Sequence, residues 1–246
     1  MQLATGGTML NFGYWVKNTQ TPISAQENLC SYFGNLADLK NAKNVVDVGS
    51  GLSAPAIFWR NNYDHLKIFC VNINYGQLHF TGPQKNITFI NSTSTKLPFS
   101  NNSVDRVLAL ESSQHFKPLK DFISESKRIL KSDGILTLAL PVTLPRTSFI
   151  KLGILKFTWS SEHYKLDLVR KLVKSGGFKI DDEQLIGDSV YAPLANYYME
   201  NRNELKKSIS KKYPNYVEKI LYKSILKMKN ASEQKIIDYV VLKCKI

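Results

Sequence analysis

Apolar and polar residues come in short alternating blocks along most of the chain. From about residue 44, β-branched runs recur, each followed by a polar or helical stretch, at 44–48, 67–71, 87–91, 104–109 and 135–140. That rhythm predicts parallel strands joined by crossover helices. Later runs at 178–185 and 238–246 predict two further strands. Helices are expected at 54–60 and at 119–130, where Leu119, Phe122, Ile123, Ile129 and Leu130 recur at helical spacing. Ahead of the first strand, 25–39 reads as a helix with Leu29, Phe33, Leu36 and Leu39 on one face and a Pro22/Ser24 start signal. Between the last two strands lie roughly 50 residues that a bare α/β sheet does not need. Within them, 216–229 turns Val217, Ile220, Leu221, Ile225 and Met228 one way and Lys219, Lys223 and Lys227 another, which predicts an inserted helical cap.

The fold class expected is therefore α/β, a Rossmann-like doubly wound sheet. One domain is expected over 1–246: an N-terminal lid (1–40), a cofactor-binding core (41–185), a helical cap (186–234) and a last strand (235–246). No internal repeat, low-complexity run or Pro/Gly-rich linker divides it.

Composition narrows the classes. With 246 residues, 43% hydrophobic and 22% charged, the chain can build a sizeable core. Its net charge of +13 favours polyanions, whether nucleic acid, phosphorylated metabolites or anionic lipid, and does not choose among them. Cys30, Cys70 and Cys244 are far apart and odd in number, which argues against a disulfide framework and a zinc site; no metal is expected. No basic n-region with an apolar core opens the chain, and the longest uncharged apolar stretch, 134–145, is about 12 residues, short of the roughly 20 that span a bilayer. The expected location is cytoplasmic.

The strongest chemical signal is VVDVGSGLSAPA at 45–56: a buried strand, Asp47, then Gly49, Ser50 and Gly51 at a turn that opens a helix. Glycines there let a ligand approach the backbone, and the helix N-terminus favours an electron-rich group. Gly49 to Ala54 also fits the dinucleotide fingerprint, and a purely structural turn is the plain alternative. About 25 residues on, where such folds place an acid for ribose hydroxyls, stands Asn72, followed by Asn74; a strand-end Asn satisfying a turn reads the same way. A third segment runs Leu97-Pro98-Phe99 and then Ser103 to Val107, and the following strand ends in Glu111-Ser-Ser-Gln-His115.

The order DVGSG, LPF with SVDRV, ESSQH and KRILKSDGILTLA resembles class I S-adenosylmethionine-dependent methyltransferases. The likeness is closer to the small-molecule branch holding tocopherol and terpenoid C-methyltransferases and antibiotic-sugar O-methyltransferases. It extends over nearly the whole chain, from Asn11-Phe-Gly13-Tyr14-Trp15 through Ser160-Ser-Glu-His-Tyr164 and Ser175-Gly-Gly177-Phe178 to the final strand. The resemblance implies a seven-stranded sheet with an antiparallel last strand and S-adenosyl-L-methionine at the strand ends, leaving as S-adenosyl-L-homocysteine. It implies cofactor contacts from Asp47, Gly49, Ser50 and Gly51 at the methionine end. Asn72, and Asn74 with it, would hold the ribose, Thr93 with Leu97 would border the adenine, and Ile73, Gln77 and Ser94 would be further cofactor contacts. Tyr14 and Trp15 would close the methyl pocket, with Glu111 beside the cofactor. Three departures stand out: Ser53 where a third glycine is common, Asn72 for the ribose acid, and Thr93 for the Asp that accepts from the adenine amino group.

Methyl transfer to a hydroxyl needs a base. His115, at the sheet mouth, has the right ordinary pKa, and a strand-end structural histidine competes with that role. Glu111 either orients an ammonium or His115, or caps the next helix. His79 and His163 sit in helical or loop contexts and His65 on the surface. The lysines at 206, 207, 211, 212, 219, 223 and 227 read first as a solvated face. They also suit an anionic membrane or a phosphorylated substrate, and Tyr213, Tyr216 and Tyr222 among them suit stacked bases. The leading reading is methylation of a small-molecule or lipid-like acceptor, chiefly at a hydroxyl. An RNA or tRNA methyltransferase and a non-catalytic binding protein of the same fold stand behind it, and an NAD-dependent oxidoreductase comes last. The pattern leaves the oligomeric state open.

Overall fold

The computed structural model describes residues 7–144, 152–155 and 162–246; Pro145, Ser160 and Ser161, named above, lie outside the described residues. The chain runs α1 (Pro22–Leu36), β1 (Asn44–Val48), α2 (Ala54–Asn62), β2 (Lys67–Asn72), α3 (Tyr75–Leu78), β3 (Ile87–Asn91), β4 (Val104–Leu110), α4 (Leu119–Ile129) and β5 (Leu130–Thr143). It continues through α5 (Leu166–Ser175), β6 (Lys179–Leu185), α6 (Tyr191–Glu200), α7 (Arg202–Ser210), α8 (Asn215–Glu233) and β7 (Ile237–Lys245). The strands form one sheet in the order β3-β2-β1-β4-β5-β7-β6. β1 to β5 pair in parallel, and β7 runs antiparallel between β5 and β6.

The order explains where a site can form. From β1 the chain steps outward to β2 and β3 and then returns to the other side of β1 as β4, so the crossovers leaving β1 and β4 diverge and open a crevice beyond the strand ends. Strands that are covered on both faces bury nearly every residue. Val45, Val46, Val107, Leu108, Leu136, Leu138, Val240 and Val241 are all sealed from solvent. Trp59 of α2 is fully buried, stacks on Phe33 of α1 and donates its Nε1–H to Cys30 O at 2.8 Å, which fixes α1 against α2.

α1 and β5 are among the elements whose bounds differ from those read in the sequence. α1 starts at Pro22 rather than Ala25, because Thr21 caps it by accepting from the Ser24 N–H, and it stops at Leu36 because Asp38 turns left-handed with φ 52°. β5 begins at Leu130, not Ile135: the stretch Lys131-Ser-Asp-Gly134 looks like a turn, yet it stays extended while pairing with β4 shifts between Val104 and Arg106. The three thiols are buried and free, and burial pushes all of them up, Cys244 to about 12.

Candidate functional site

The crevice opens into a cavity of ≈ 940 Å³. On one side its wall is the ends of β1, β2 and β4 with the loop after β3; on the other it is the face of α8 carrying Val217, Ile220, Leu221, Ile225 and Met228. These are the five residues whose spacing marked one face of 216–229, now seen to line a cavity instead of only filling a core.

The glycine loop is tightly shaped. Gly49 and Gly51 take φ of 73° and 56°, and a Cβ on Gly49 would stand 2.5 Å from Ser112 Cβ, so only glycine fits. Ser112 Oγ donates to Val48 O at 2.6 Å, holding the β4 loop against β1. Ser53 is itself left-handed, φ 60°, which supplies the physical reason a glycine would suit that position; its hydroxyl is tied to Ser50 Oγ at 3.3 Å. The N–H groups of Gly49 and Ser50 both return to Val71 O, and Pro55 removes a donor from the first turn of α2. With those two N–H groups turned back to β2 and no donor at Pro55, the loop offers fewer N–H groups to a pyrophosphate, which weighs against a dinucleotide.

The wall carries Gly49, Ser50, Gly51, Asn72, Ile73, Gln77, Thr93, Ser94, Glu111 and His115. Asn72 donates to Gln77 Oε1 at 2.9 Å, so the two amides are held as a pair, and Ile73 is 72% exposed beside them. Thr93 Oγ1 lies 3.2 Å from Thr95 Oγ1. Asn74 lies outside the wall and caps α3 through the Gln77 N–H. Four expected positions also lie off the wall. Asp47 is buried at the end of β1, with Oδ2 lacking a hydrogen-bond partner among the described residues, and burial pushes its carboxyl up to about 7. Leu97 is buried in the core: its N–H donates to Glu125 Oε2, and Arg128 of the same helix donates to Leu97 O and Phe99 O. The LPF segment is thus a loop fastened to α4.

Tyr14 and Trp15 are the other two. Gly13, φ 87°, turns the chain hard against Ala25, so residues before it face the cavity and residues after it face away. Leu10, Asn11 and Phe12 line the wall, while Tyr14 packs on Tyr32 and Trp15 on Tyr197. Asn11 and Phe12 of the same motif, not its aromatic pair, reach the cavity, and the glycine between them is the sequence signal for that division. Gln26 of α1 holds this strap by donating to Met9 O and Asn11 O. Ser92, Pro141, Leu194 and Ser224 also line the cavity and carried no sequence signal.

Glu111 sits left-handed, φ 50°, at the end of β4. Its Oε1 accepts from the Phe12 N–H at 2.8 Å and from Tyr239 OH at 2.9 Å, so one carboxylate ties the strap to β7. Burial outweighs those two donors and pushes its pKa up to about 8. His115 is exposed on the wall, with Nε2 3.4 Å from Gln114 Nε2, and the Gln114 amide is anchored on Glu111 O at 2.7 Å. The loop is braced from outside by Glu162 N–H to Gln114 O and Tyr164 OH to Phe116 O. His79 and His65 lie on the exposed surface and His163 is buried; none lines the cavity. Among the described residues no cluster of His, Cys, Asp or Glu could hold a metal ion.

Hydroxyls, paired amides and one half-buried carboxyl group, set at the strand ends beside a glycine loop, form a donor set matched to a nucleoside with a cationic end. Residues 46–138 match the family model described as a methyltransferase domain. The chain carries a methyltransferase domain and is a methyltransferase enzyme. Its methyl donor is S-adenosyl-L-methionine. This methyltransferase is 25% identical to erythromycin 3''-O-methyltransferase of Saccharopolyspora erythraea, across 89% of this chain and 78% of that one. It is 28% identical to sterol 24-C-methyltransferase of Yarrowia lipolytica over 65% of this chain, spanning about half (48%) of the relative's length. In fold it superposes on the cyclopropane synthase MmaA2 from Mycobacterium tuberculosis with a TM-score of 0.82 at 17% identity, covering 96% of this chain and 89% of the other.

Proposed function

We propose that this methyltransferase methylates a hydroxyl of a small, largely apolar acceptor enclosed between the N-terminal strap, α8 and the glycine loop, with His115 taking the hydroxyl proton. One observation carries the reading: a single cavity of ≈ 940 Å³ has polar strand ends on one side, an apolar helix face on the other, and His115 in the same wall. That volume is at the upper end of small-molecule pockets, roughly 300–1,000 Å³, and so accommodates a nucleoside and an acceptor together. The relatives support the acceptor class, one being named for O-methylation and the other for methylation of a sterol.

S-adenosylmethionine supplies an electrophilic methyl group on a sulfonium. Gly49, Ser50 and Gly51 would hold its methionine end, the Asn72–Gln77 pair and Ile73 its ribose, and Thr93 and Ser94 its adenine. Glu111 keeps the strap closed on β7, and its carboxyl group would ionise against the cationic end when the cofactor binds, since a nearby positive charge favours the carboxylate. Val217, Leu221, Ile225 and Met228 exclude water and hold the acceptor so that its oxygen faces the methyl group; such positioning provides much of the rate of a displacement. His115 would accept the hydroxyl proton as the methyl group passes from sulfur to oxygen, the carbon–sulfur bond breaking to leave S-adenosylhomocysteine. Among the wall's titratable side chains it suits this role best, since Glu111 Oε1 already accepts two bonds and Lys117 pairs with Glu162.

His115→Ala is expected to lower turnover by about 10² to 10⁴ near neutral pH with S-adenosylmethionine affinity unchanged. Calorimetry alongside initial rates measures both. Unchanged turnover would transfer the proposal to a carbon acceptor whose proton leaves elsewhere.

A further inference from the structure

Within residues 206–229 there are eight lysines and a single glutamate. That glutamate, Glu218, is fully buried and accepts from Arg202 Nε at 2.9 Å and Nη2 at 3.3 Å, so it screens none of the outward charge. Where α7 gives way to α8 the chain is exposed without a break from Ser210 to Tyr216. Lys211 and Lys212 stand there beside Tyr213, 44% exposed, and Tyr216, 62% exposed. One helical turn on, Ile220 is 44% exposed and also borders the cavity, with exposed Lys219 and Lys223 alongside. Single exposed apolar side chains are ordinary on a solvated face; here cations interleave with several large amphipathic and apolar side chains clustered at the rim of an apolar cavity.

We infer that the α7–α8 corner docks the enzyme on an anionic phospholipid bilayer and places the cavity mouth at the lipid surface. The chemistry is complementary: lysines meet the headgroup phosphates, their methylene stems lying along the tyrosines, and Tyr213 and Tyr216 sit at headgroup level with a polar tip in water. Ile220, exposed on one side and lining the cavity on the other, marks where an apolar acceptor would pass from bilayer to site. Among the described residues no helix is long and apolar enough to cross a membrane, so this contact is peripheral. Its purpose rests on the acceptor reading above, whereas the binding itself does not.

The test is flotation of the full chain with vesicles of phosphatidylcholine mixed with phosphatidylserine, against phosphatidylcholine alone, at about 0.1 M salt, where exposed charges act over about 10 Å. The expected result is association with the mixed vesicles only. Lys211→Gln with Lys212→Gln should weaken it by more than about tenfold. Tyr213→Ser with Tyr216→Ser should weaken it as well, and both variants should keep the parent affinity for S-adenosylmethionine, which shows that they fold. Three results would overturn the proposal: no association with the mixed vesicles, association unaffected by the tyrosine changes, or tighter binding to a single-stranded RNA oligonucleotide than to the vesicles. Loss of S-adenosylmethionine binding in the parent protein would strike the methyltransferase reading and leave the vesicle result standing.

Discussion

Glu111 shows how much one side chain can carry. Its left-handed backbone ends β4, its carbonyl anchors Gln114, and its carboxylate joins the strap to β7. Burial raises its pKa from 4.5 to about 8, so the folded state holds a proton that the unfolded chain releases. Below the unfolded value both states are neutral and the group costs nothing. As pH rises from about 4.5 to about 8 the folded state loses stability on its account, and above that the loss is complete. Asp47, raised to about 7, acts in the same direction. The melting temperature of the unliganded enzyme should therefore fall from about pH 5 to pH 8. Glu111→Gln keeps an acceptor for Phe12 and Tyr239 and should flatten part of that slope; an unaltered slope in thermal melts would show that Glu111 does not hold the proton. The sequence made Gly49, Gly51, Asn72 and His115 legible because residues at the ends of parallel strands face the crevice. Tyr14 and Trp15 misled because a residue's side of a strap depends on one turn, at Gly13, which an aromatic motif does not disclose.

Among the elements, the parallel strands were readable because strands buried on both faces become continuous β-branched runs. The start of β5 was not, since Lys131 to Gly134 has turn composition and is kept extended by its neighbour. The apolar face of α8 was readable, but its partner was not: helical spacing is the same for a face lining a cavity and a face filling a core. What anchors α8 was missed altogether. Arg202 reaches from α7 to the buried Glu218 and lies 3.5 Å over the Tyr222 ring. Removing the cation leaves a buried carboxylate without its partner, which costs about 3–5 kcal/mol. Arg202→Ala should lower the melting temperature and speed proteolysis in residues 201–233, while Lys207→Ala on the exposed face should do neither. Equal cleavage in both variants would mean that the pair does not hold the cap.

At the scale of the whole molecule, the sheet order, the strap and the inserted helices converge on one cavity. Alternating strands and helices were enough to expect a doubly wound sheet; the antiparallel β7 came only with the family resemblance, because strand direction leaves no trace in apolar spacing. Three positions depart from the family's pattern, yet each is structurally accommodated: Ser53 in the left-handed turn, Asn72 paired with Gln77, and Thr93 on the wall. The central claim is that these residues still form a working site for S-adenosylmethionine. Calorimetric titration of the purified chain with S-adenosylmethionine, S-adenosylhomocysteine and NAD tests it most directly. The structure predicts saturable micromolar binding of both sulfur compounds, on the order of 8 kcal/mol, and none of NAD. Binding of NAD, or of neither sulfur compound, would contradict it.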